Sequence, residues 1–304
     1  MKTLTPTDSY VGRFAPSPSG HLHFGSLVTA LGSYLQSKSQ GGQWLLRIED
    51  IDRPREIAGA SDSILRCLEA HHLFWDDEVV YQSHRFDLYN KKIRYLTEQG
   101  LTYQCTCSRA QLTNLKSEQI CGCANQNIAI ANSAIRFKYH NAQPQFYDEL
   151  LGQVDLSKHN IPSQFAVKRK DNLFAYQLAV VVDDIQQGIT EVARGADLLD
   201  ATIFQLALYQ AFDSPVPKFL HFPVVVTEPG KKLSKQNHAI ELNTDEVCTN
   251  LMNALRFLGL SLPKEFERES AQNILNWAIC EWDLSHIPAK TECIDNRIGQ
   301  ADSI

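Results

Sequence analysis

Four groups of side chains in this sequence have types and spacings that could do chemistry. The first is RFAPSPSGHLHFGSL (Arg13–Leu27), where prolines, glycines and serines surround His21 and His23 just ahead of an amphipathic run. A polar Pro/Gly loop at the mouth of a helix is a place where α/β proteins bind anions. The first helical turn presents backbone N–H groups and the positive end of the helix dipole. The loop is neither a GxxxxGK[ST] phosphate loop nor a GxGxxG dinucleotide fingerprint. The second group is TEPGKKLSKQN (Thr227–Asn237), a Pro-Gly turn followed by Lys231, Lys232 and Lys235 around Ser234. The third is the acidic cluster Glu49, Asp50 and Asp52 behind the apolar WLLRI (Trp44–Ile48). Taken singly, each of these is an ordinary solvated loop or strand end.

The fourth group is Cys105-x-Cys107, thirteen residues, then Cys121-x-Cys123. Two thiol pairs on short hairpin-like turns offer four soft ligands, which suits one closed, tetrahedral, structural zinc ion. The other four cysteines, Cys67, Cys248, Cys280 and Cys293, are scattered and read as ordinary core or surface thiols.

The elements that position these groups alternate. Tyr10–Phe14 reads as a short strand leading into the Pro/Gly loop. From Gly25 the apolar positions Leu27, Ala30, Leu31, Tyr34 and Leu35 follow helical spacing, and Gly41-Gly42 stops the helix. Trp44–Ile48 reads as a buried strand, with helical patterns over about 56–70 and 86–99. The alternation returns with LAVVV (Leu178–Val182) as a strand, then TEVARG (Thr190–Gly195), then a helix over Leu198–Phe212. This pattern predicts an α/β fold with a parallel sheet and an interruption. The expected organisation is 1–100 as the first half of a catalytic domain, 101–165 as an inserted metal-binding module, and 166–240 as the second half. Residues 241–304 would form a short helical region over Val247–Leu258 and Ala271–Trp282, with a polar tail from Thr291.

Composition is consistent with this frame. Of 304 residues, 43% are hydrophobic and 21% charged, enough for a sizeable core and about two domains. The N-terminus MKTLTPTDSY lacks an apolar signal core and no run is long enough to span a membrane, so a reduced, cytoplasmic setting is expected. A net charge of -6 gives no sign of an indiscriminate nucleic-acid binder, and neither DNA nor a membrane is expected as a partner.

An early Pro/Gly-His loop and a late Lys-x-Ser-Lys loop flanking a split parallel sheet form a joint pattern. With it the chain resembles the class I aminoacyl-tRNA synthetases. His23-Phe24-Gly25-Ser26 stands at their HIGH motif and Lys232-Leu233-Ser234-Lys235-Gln236 at KMSKS. The resemblance implies a Rossmann-like catalytic sheet, with His23 and Lys235 as catalytic residues. His23, Gly25, Ser26, Lys232, Ser234 and Lys235 would contact ATP, which brings magnesium. RFAPSPSG, RIEDID and ARGADLL resemble the glutamyl branch. That branch implies a glutamate pocket from Arg13, Ala15, Ser17, Glu49, Tyr176 and Arg194. The chemistry agrees, because a dicarboxylate needs guanidinium forks and an ammonium needs an acid. Ser26 replaces the second histidine of many class I enzymes.

Full glutamyl-tRNA synthetases continue beyond the lysine loop into a helical anticodon-reading domain, whereas only residues 237–304 follow Gln236 here. The short core and the wording PSPSGHLHFGSL resemble the glutamyl-Q tRNA(Asp) synthetase family. That family activates glutamate without tRNA and attaches it to queuosine in the anticodon of tRNA(Asp). It binds zinc through a CxC pair, a tyrosine and a later cysteine. No tyrosine stands between Cys107 and Cys123, so Cys121 is expected in the tyrosine's role beside Cys105, Cys107 and Cys123. The alternatives are a discriminating glutamyl-tRNA synthetase, a small-molecule nucleotidyltransferase of the same superfamily, and a zinc-dependent RNA-binding module.

Overall fold

Strand β1 (Val11–Phe14) runs directly into the Pro/Gly loop, and helix α1 (Phe24–Ser39) carries the chain back to the parallel strand β2 (Gln43–Ile48). The structure, a computed structural model, describes residues 9–115, 119–126, 132–139, 144–159, 161–228, 230–232 and 241–295. A parallel pair needs such a crossover, and α1 supplies it with Leu27, Leu31 and Leu35 fully buried. Gly32 lies where α1 meets Phe222, so close that a Cβ would sit 2.8 Å from that ring. The helix stops at Gly41, which takes a left-handed φ of 64°.

Helix α2 (Ala60–Ala70) begins after Gly59 and so is shorter than the 56–70 pattern; the chain before it forms a 3-10 turn at Arg53–Arg55. Strand β3 (Val80–Tyr81) extends the first sheet beside β2, and α3 (Phe86–Glu98) follows. Next come β4 (Thr102–Cys105), the short α4 (Arg109–Thr113) and β5 (Ala134–Lys138). The hairpin β6 (Gln145–Asp148) and β7 (Gly152–Asp155) precedes β8 (Gln164–Lys168). Strands β4, β5 and β8 make an antiparallel sheet of their own.

The expected strand at Leu178–Val182 is instead part of helix α5 (Tyr176–Gln186). A short apolar run fits a buried strand or a buried helix equally well by periodicity, and here tertiary burial overrides the β preference of three successive valines. Residues 178–184 are all buried, Asp183 and Asp184 included.

Strand β9 (Glu191–Gly195), α6 (Ala201–Ala211) and β10 (Lys218–Phe222) make the second parallel crossover, with Arg194 opposite His221. The hairpin β6–β7 joins this sheet through a parallel pairing of Asp148 with Phe219. The two halves meet where the Thr190 N–H donates to the Val11 carbonyl at 2.9 Å. Strand β11 (Val224–Glu228) then leads to β12 (Lys231–Lys232).

Helices α7 (Val247–Phe257) and α8 (Ala271–Cys280) pack onto the core around α1. The tail expected from Thr291 is instead strand β13 (Glu292–Ile294), paired in parallel with β11. Its main chain satisfies an edge that the polar side chains do not advertise. Among the described residues no helix is long and apolar enough to cross a membrane.

Candidate active site

His23 is the N-cap of α1, and its ring Nδ1 accepts the Ser26 N–H at 3.3 Å. A lone pair on Nδ1 puts the proton of the neutral ring on Nε2. The Ser26 amide is therefore taken up by the cap rather than offered to an anion, which narrows the open N–H set that a bare helix start would present. The loop before it is tied to β2, because the Glu49 N–H donates to the Pro16 carbonyl at 3.0 Å. His21 points elsewhere, with Nδ1 at 2.6 Å from Ser63 Oγ and 2.9 Å from Glu241 Oε1. Beyond the lysine loop, the Leu242 N–H donates to the Leu22 carbonyl at 3.1 Å. Lys232 lies in β12; Ser234 and Lys235 lie outside the described residues.

Behind this loop the sheet carries buried arginines. Arg13 on β1 donates Nε–H to Asp184 Oδ1 at 3.1 Å and Nη2–H to Asp184 Oδ2 at 3.4 Å. Arg47 on β2 donates to the same Asp184 Oδ1 at 2.8 Å and lies 3.5 Å from Glu49 Oε1. Burial pushes Asp184 up, but Arg13 and Arg47 outweigh it and hold its carboxyl below the usual range. Asp183 lies 3.9 Å from Arg47 Nε and accepts from Gln82, Arg85 and Tyr89 at 2.6–2.8 Å.

Glu49 is buried, and its Oε1 has no hydrogen-bond partner. Burial raises its pKa from 4.5 to about 7, with Arg47 and Arg13 pulling in the opposite direction. The neighbouring acids do other work. Asp50 accepts the Ser83 N–H and hydroxyl at 2.8 and 2.6 Å, and Asp52 pairs with Arg55 at 2.6 Å. The cluster thus divides into one buried carboxylate and two that brace loops.

Arg194 on β9 is buried, and burial lowers its pKa. Its Nε–H donates to His221 Nε2 at 3.0 Å, Nη1–H to Gln205 Oε1 at 2.8 Å, and Nη2–H to Thr202 Oγ1 at 2.8 Å and the Leu198 carbonyl at 3.3 Å. Tyr176, at the start of α5, has its hydroxyl pKa raised by burial and lies near enough to Arg194, Glu49 and Arg13 to feel their charges. Ala15 is half-buried and Ser17 exposed on the loop that continues from Arg13. The sequence reading missed Asp148, Asp184, Thr202, Gln205 and His221. The visible signals were the acids ending LAVVVDD and a histidine inside the apolar strand KFLHF.

The four module cysteines come together. Cys105 and Cys121 Sγ are 3.6 Å apart, as are Cys107 and Cys123 Sγ, and all four sulfurs lie within 4.8 Å of one another. A tetrahedron with Zn–S bonds of about 2.3 Å has edges of about 3.8 Å, so the donor set and its spacing fit that ion. The only tyrosine hydroxyl that the described contacts bring to these sulfurs is that of Tyr103, 3.3 Å from Cys121 Sγ, and it precedes the first cysteine.

A family described as tRNA synthetases class I (E and Q), catalytic domain, matches residues 10–283. The chain is 46% identical to the glutamyl-Q tRNA(Asp) synthetase of Yersinia pestis over 286 residues, covering 94% of this chain and 89% of that one. It is 45% identical to that of Escherichia coli (strain K12 / MC4100 / BW2952), covering 95% of this chain and 93% of the relative. In fold it is similar to a crystal structure of a glutamate tRNA ligase from Elizabethkingia meningosepticum in complex with its amino acid. The TM-score there is 0.72 at 23% identity, covering 95% of this chain and 67% of the ligase. Sharing nearly half its residues with these relatives along almost its whole length, on a class I catalytic domain, the chain belongs to the glutamyl-Q tRNA(Asp) synthetase family.

Proposed function

We propose that this protein uses ATP to activate glutamate without tRNA and transfers the glutamyl group to queuosine in the anticodon of tRNA(Asp). The observation that supports the amino-acid half is a buried cation and a buried anion, both within electrostatic reach of Tyr176 and both incompletely paired. Arg194 meets only neutral acceptors among its hydrogen bonds, and Glu49 Oε1 has none. A zwitterion with a side-chain carboxylate completes both, bringing an opposite charge to Arg194 and a hydrogen-bond donor to Glu49 Oε1, which already lies beside Arg47. Glu49 takes the α-ammonium, Arg13 and Arg194 take carboxylates, and Tyr176, Ala15 and Ser17 complete the pocket.

Activation is an attack by a glutamate carboxylate oxygen on the α-phosphorus of ATP, forming glutamyl-adenylate and releasing pyrophosphate. A cis-diol hydroxyl of the queuosine cyclopentene then attacks the activated carbonyl, forming an ester and releasing AMP. The protein must align the reactants and stabilise charge that develops on the phosphates. His23, Gly25 and Ser26 serve one side, while Lys232, Ser234 and Lys235 serve the other; magnesium arrives with ATP. Cys105, Cys107, Cys121 and Cys123 hold one structural zinc, which fixes the module and takes no part in the chemistry. ATP and tRNA as substrates argue for a cytoplasmic enzyme.

The reading is tested in two steps. Glutamate-dependent exchange of pyrophosphate into ATP should proceed in the absence of tRNA. Radiolabelled glutamate should then be transferred to tRNA(Asp) bearing queuosine, but neither to the same RNA after periodate nor to unmodified tRNA(Asp) nor to tRNA(Glu). Charging of tRNA(Glu) would replace this reading with that of a discriminating glutamyl-tRNA synthetase.

A further inference from the structure

The hydrogen-bond partners of Arg194 set it apart from the other buried arginines. Arg13 is matched by Asp184, and Arg47 lies against Asp183, Asp184 and Glu49. Arg194 is held just as firmly, yet among the described residues no carboxylate lies within ion-pair distance of it. The partner of its Nε–H is His221 on β10. The other ring nitrogen of His221, Nδ1, lies 2.7 Å from Asp148 Oδ2. Asp148 Oδ1 is already occupied by the backbone N–H groups of Leu150 and Leu151 at 3.1 and 2.9 Å.

These contacts determine the ring's proton. An ionised Asp148 only accepts, so Nδ1 must carry the hydrogen, and Nε2 keeps the lone pair that receives Arg194. A second proton on Nε2 would set two donors against each other. Burial among Phe146, Phe219 and the sheet also disfavours the charged ring, pushing its pKa down to about 4. Asp148 therefore orients Arg194 through a neutral ring, and its own charge stays one imidazole away. A carboxylate in place of the imidazole would orient the guanidinium equally well but would offset the charge an anionic substrate needs.

We infer that His221, held in one tautomer by Asp148, is a positioning residue that aims Arg194 at a substrate carboxylate while leaving its charge intact; this rests on the glutamate-activation reading above. Asp148 comes from β6, far in sequence from the loops that resemble synthetase motifs.

The test is a comparison of three variants by pyrophosphate exchange, with melting temperature as a check on folding. Asp148→Asn is nearly isosteric. Its oxygen can keep the two backbone amides, which turns its NH2 toward Nδ1 and inverts the tautomer. Asp148→Asn and His221→Leu should raise KM for glutamate by roughly 10- to 100-fold, the range expected when a hydrogen bond to a charged group is lost, and leave KM for ATP nearly unchanged. His221→Gln, which can still present an acceptor oxygen, should recover most of the loss. An unchanged glutamate KM in folded Asp148→Asn, or equal rises for glutamate and ATP, overturns the inference. A wild-type protein that exchanges no glutamate overturns the functional reading instead. A long-range proton–nitrogen spectrum of histidine-labelled protein then decides the geometry alone. Protonated Nδ1 in the wild type and protonated Nε2 in Asp148→Asn support it, and protonated Nε2 in the wild type refutes it.

Discussion

Glu241 forms an antiparallel bridge with His23, so the first described residue after the lysine loop is paired with the cap of α1. The Leu242–Leu22 hydrogen bond reinforces the same tie. The chain that follows the lysine loop is therefore tied to the start of α1, although the two segments stand some two hundred residues apart in sequence.

From this follows the first prediction. His23→Ala and Lys235→Ala should each leave the fold intact and reduce glutamate-dependent exchange by about two to three orders of magnitude, or about 3–4 kcal/mol of transition-state stabilisation. Circular dichroism and exchange rates together check it. Unchanged rates in both variants would remove these loops from the phosphate site.

Glu49 gives the second. Its raised pKa means that the unliganded carboxyl takes up a proton as pH falls through about 7, whereas an ammonium needs the carboxylate. Glutamate affinity should thus weaken about tenfold per unit below that value and level off above it. Calorimetric titration from pH 5.5 to 8.5 reads this directly, and Glu49→Gln should abolish the step and bind weakly throughout. The stability effect of this group has the opposite direction. Ionising a buried acid whose folded pKa lies above its ordinary 4.5 removes stability as pH rises from 4.5 to about 7.

The cysteine cluster gives the third. Freshly purified protein should carry about one zinc per chain by mass spectrometric metal analysis, and Cys105→Ser should lose both the ion and the order of its module. Protein with four titratable thiols and no metal would point to a merely buried thiol cluster.

Packing gives the fourth. Gly32→Ala puts a methyl 2.8 Å from the Phe222 ring and should destabilise the protein by about 1–3 kcal/mol in denaturant titration. Phe222→Leu in the same chain should recover part of that loss, the coupling expected of two side chains that compete for one space.

Much of the scaffold was legible because it obeys local rules. The α1 stripe, the Gly41 stop and the buried β2 are set by spacing and backbone geometry within a dozen residues. What was not legible depends on partners distant in sequence. Leu178–Val182 became a helix because it is surrounded on all sides, which no window of five residues can reveal. Glu292–Ile294 became a strand because β11 offered an edge. His221 looked like a stray histidine, since Asp148 and Arg194 meet it only after three strands are laid side by side. A pocket of Arg13, Glu49, Tyr176 and Arg194 likewise cannot be read from spacing. It is expected only because RFAPSPSG, RIEDID and ARGADLL resemble the motifs of a known family.

The pairing of β6 with β10 means that the cysteine-bearing insertion is not a detachable cassette. Excising 101–165 would cut away the zinc-type cluster, but it would also unzip an edge of the nucleotide fold and remove the acid behind His221. Grafting a related module onto this core, or swapping it between relatives, therefore requires the β6 strand and its aspartate to stay with the recipient. A chimera joined at the ends of β4 and β5 respects that boundary; one joined at residues 101 and 165 does not.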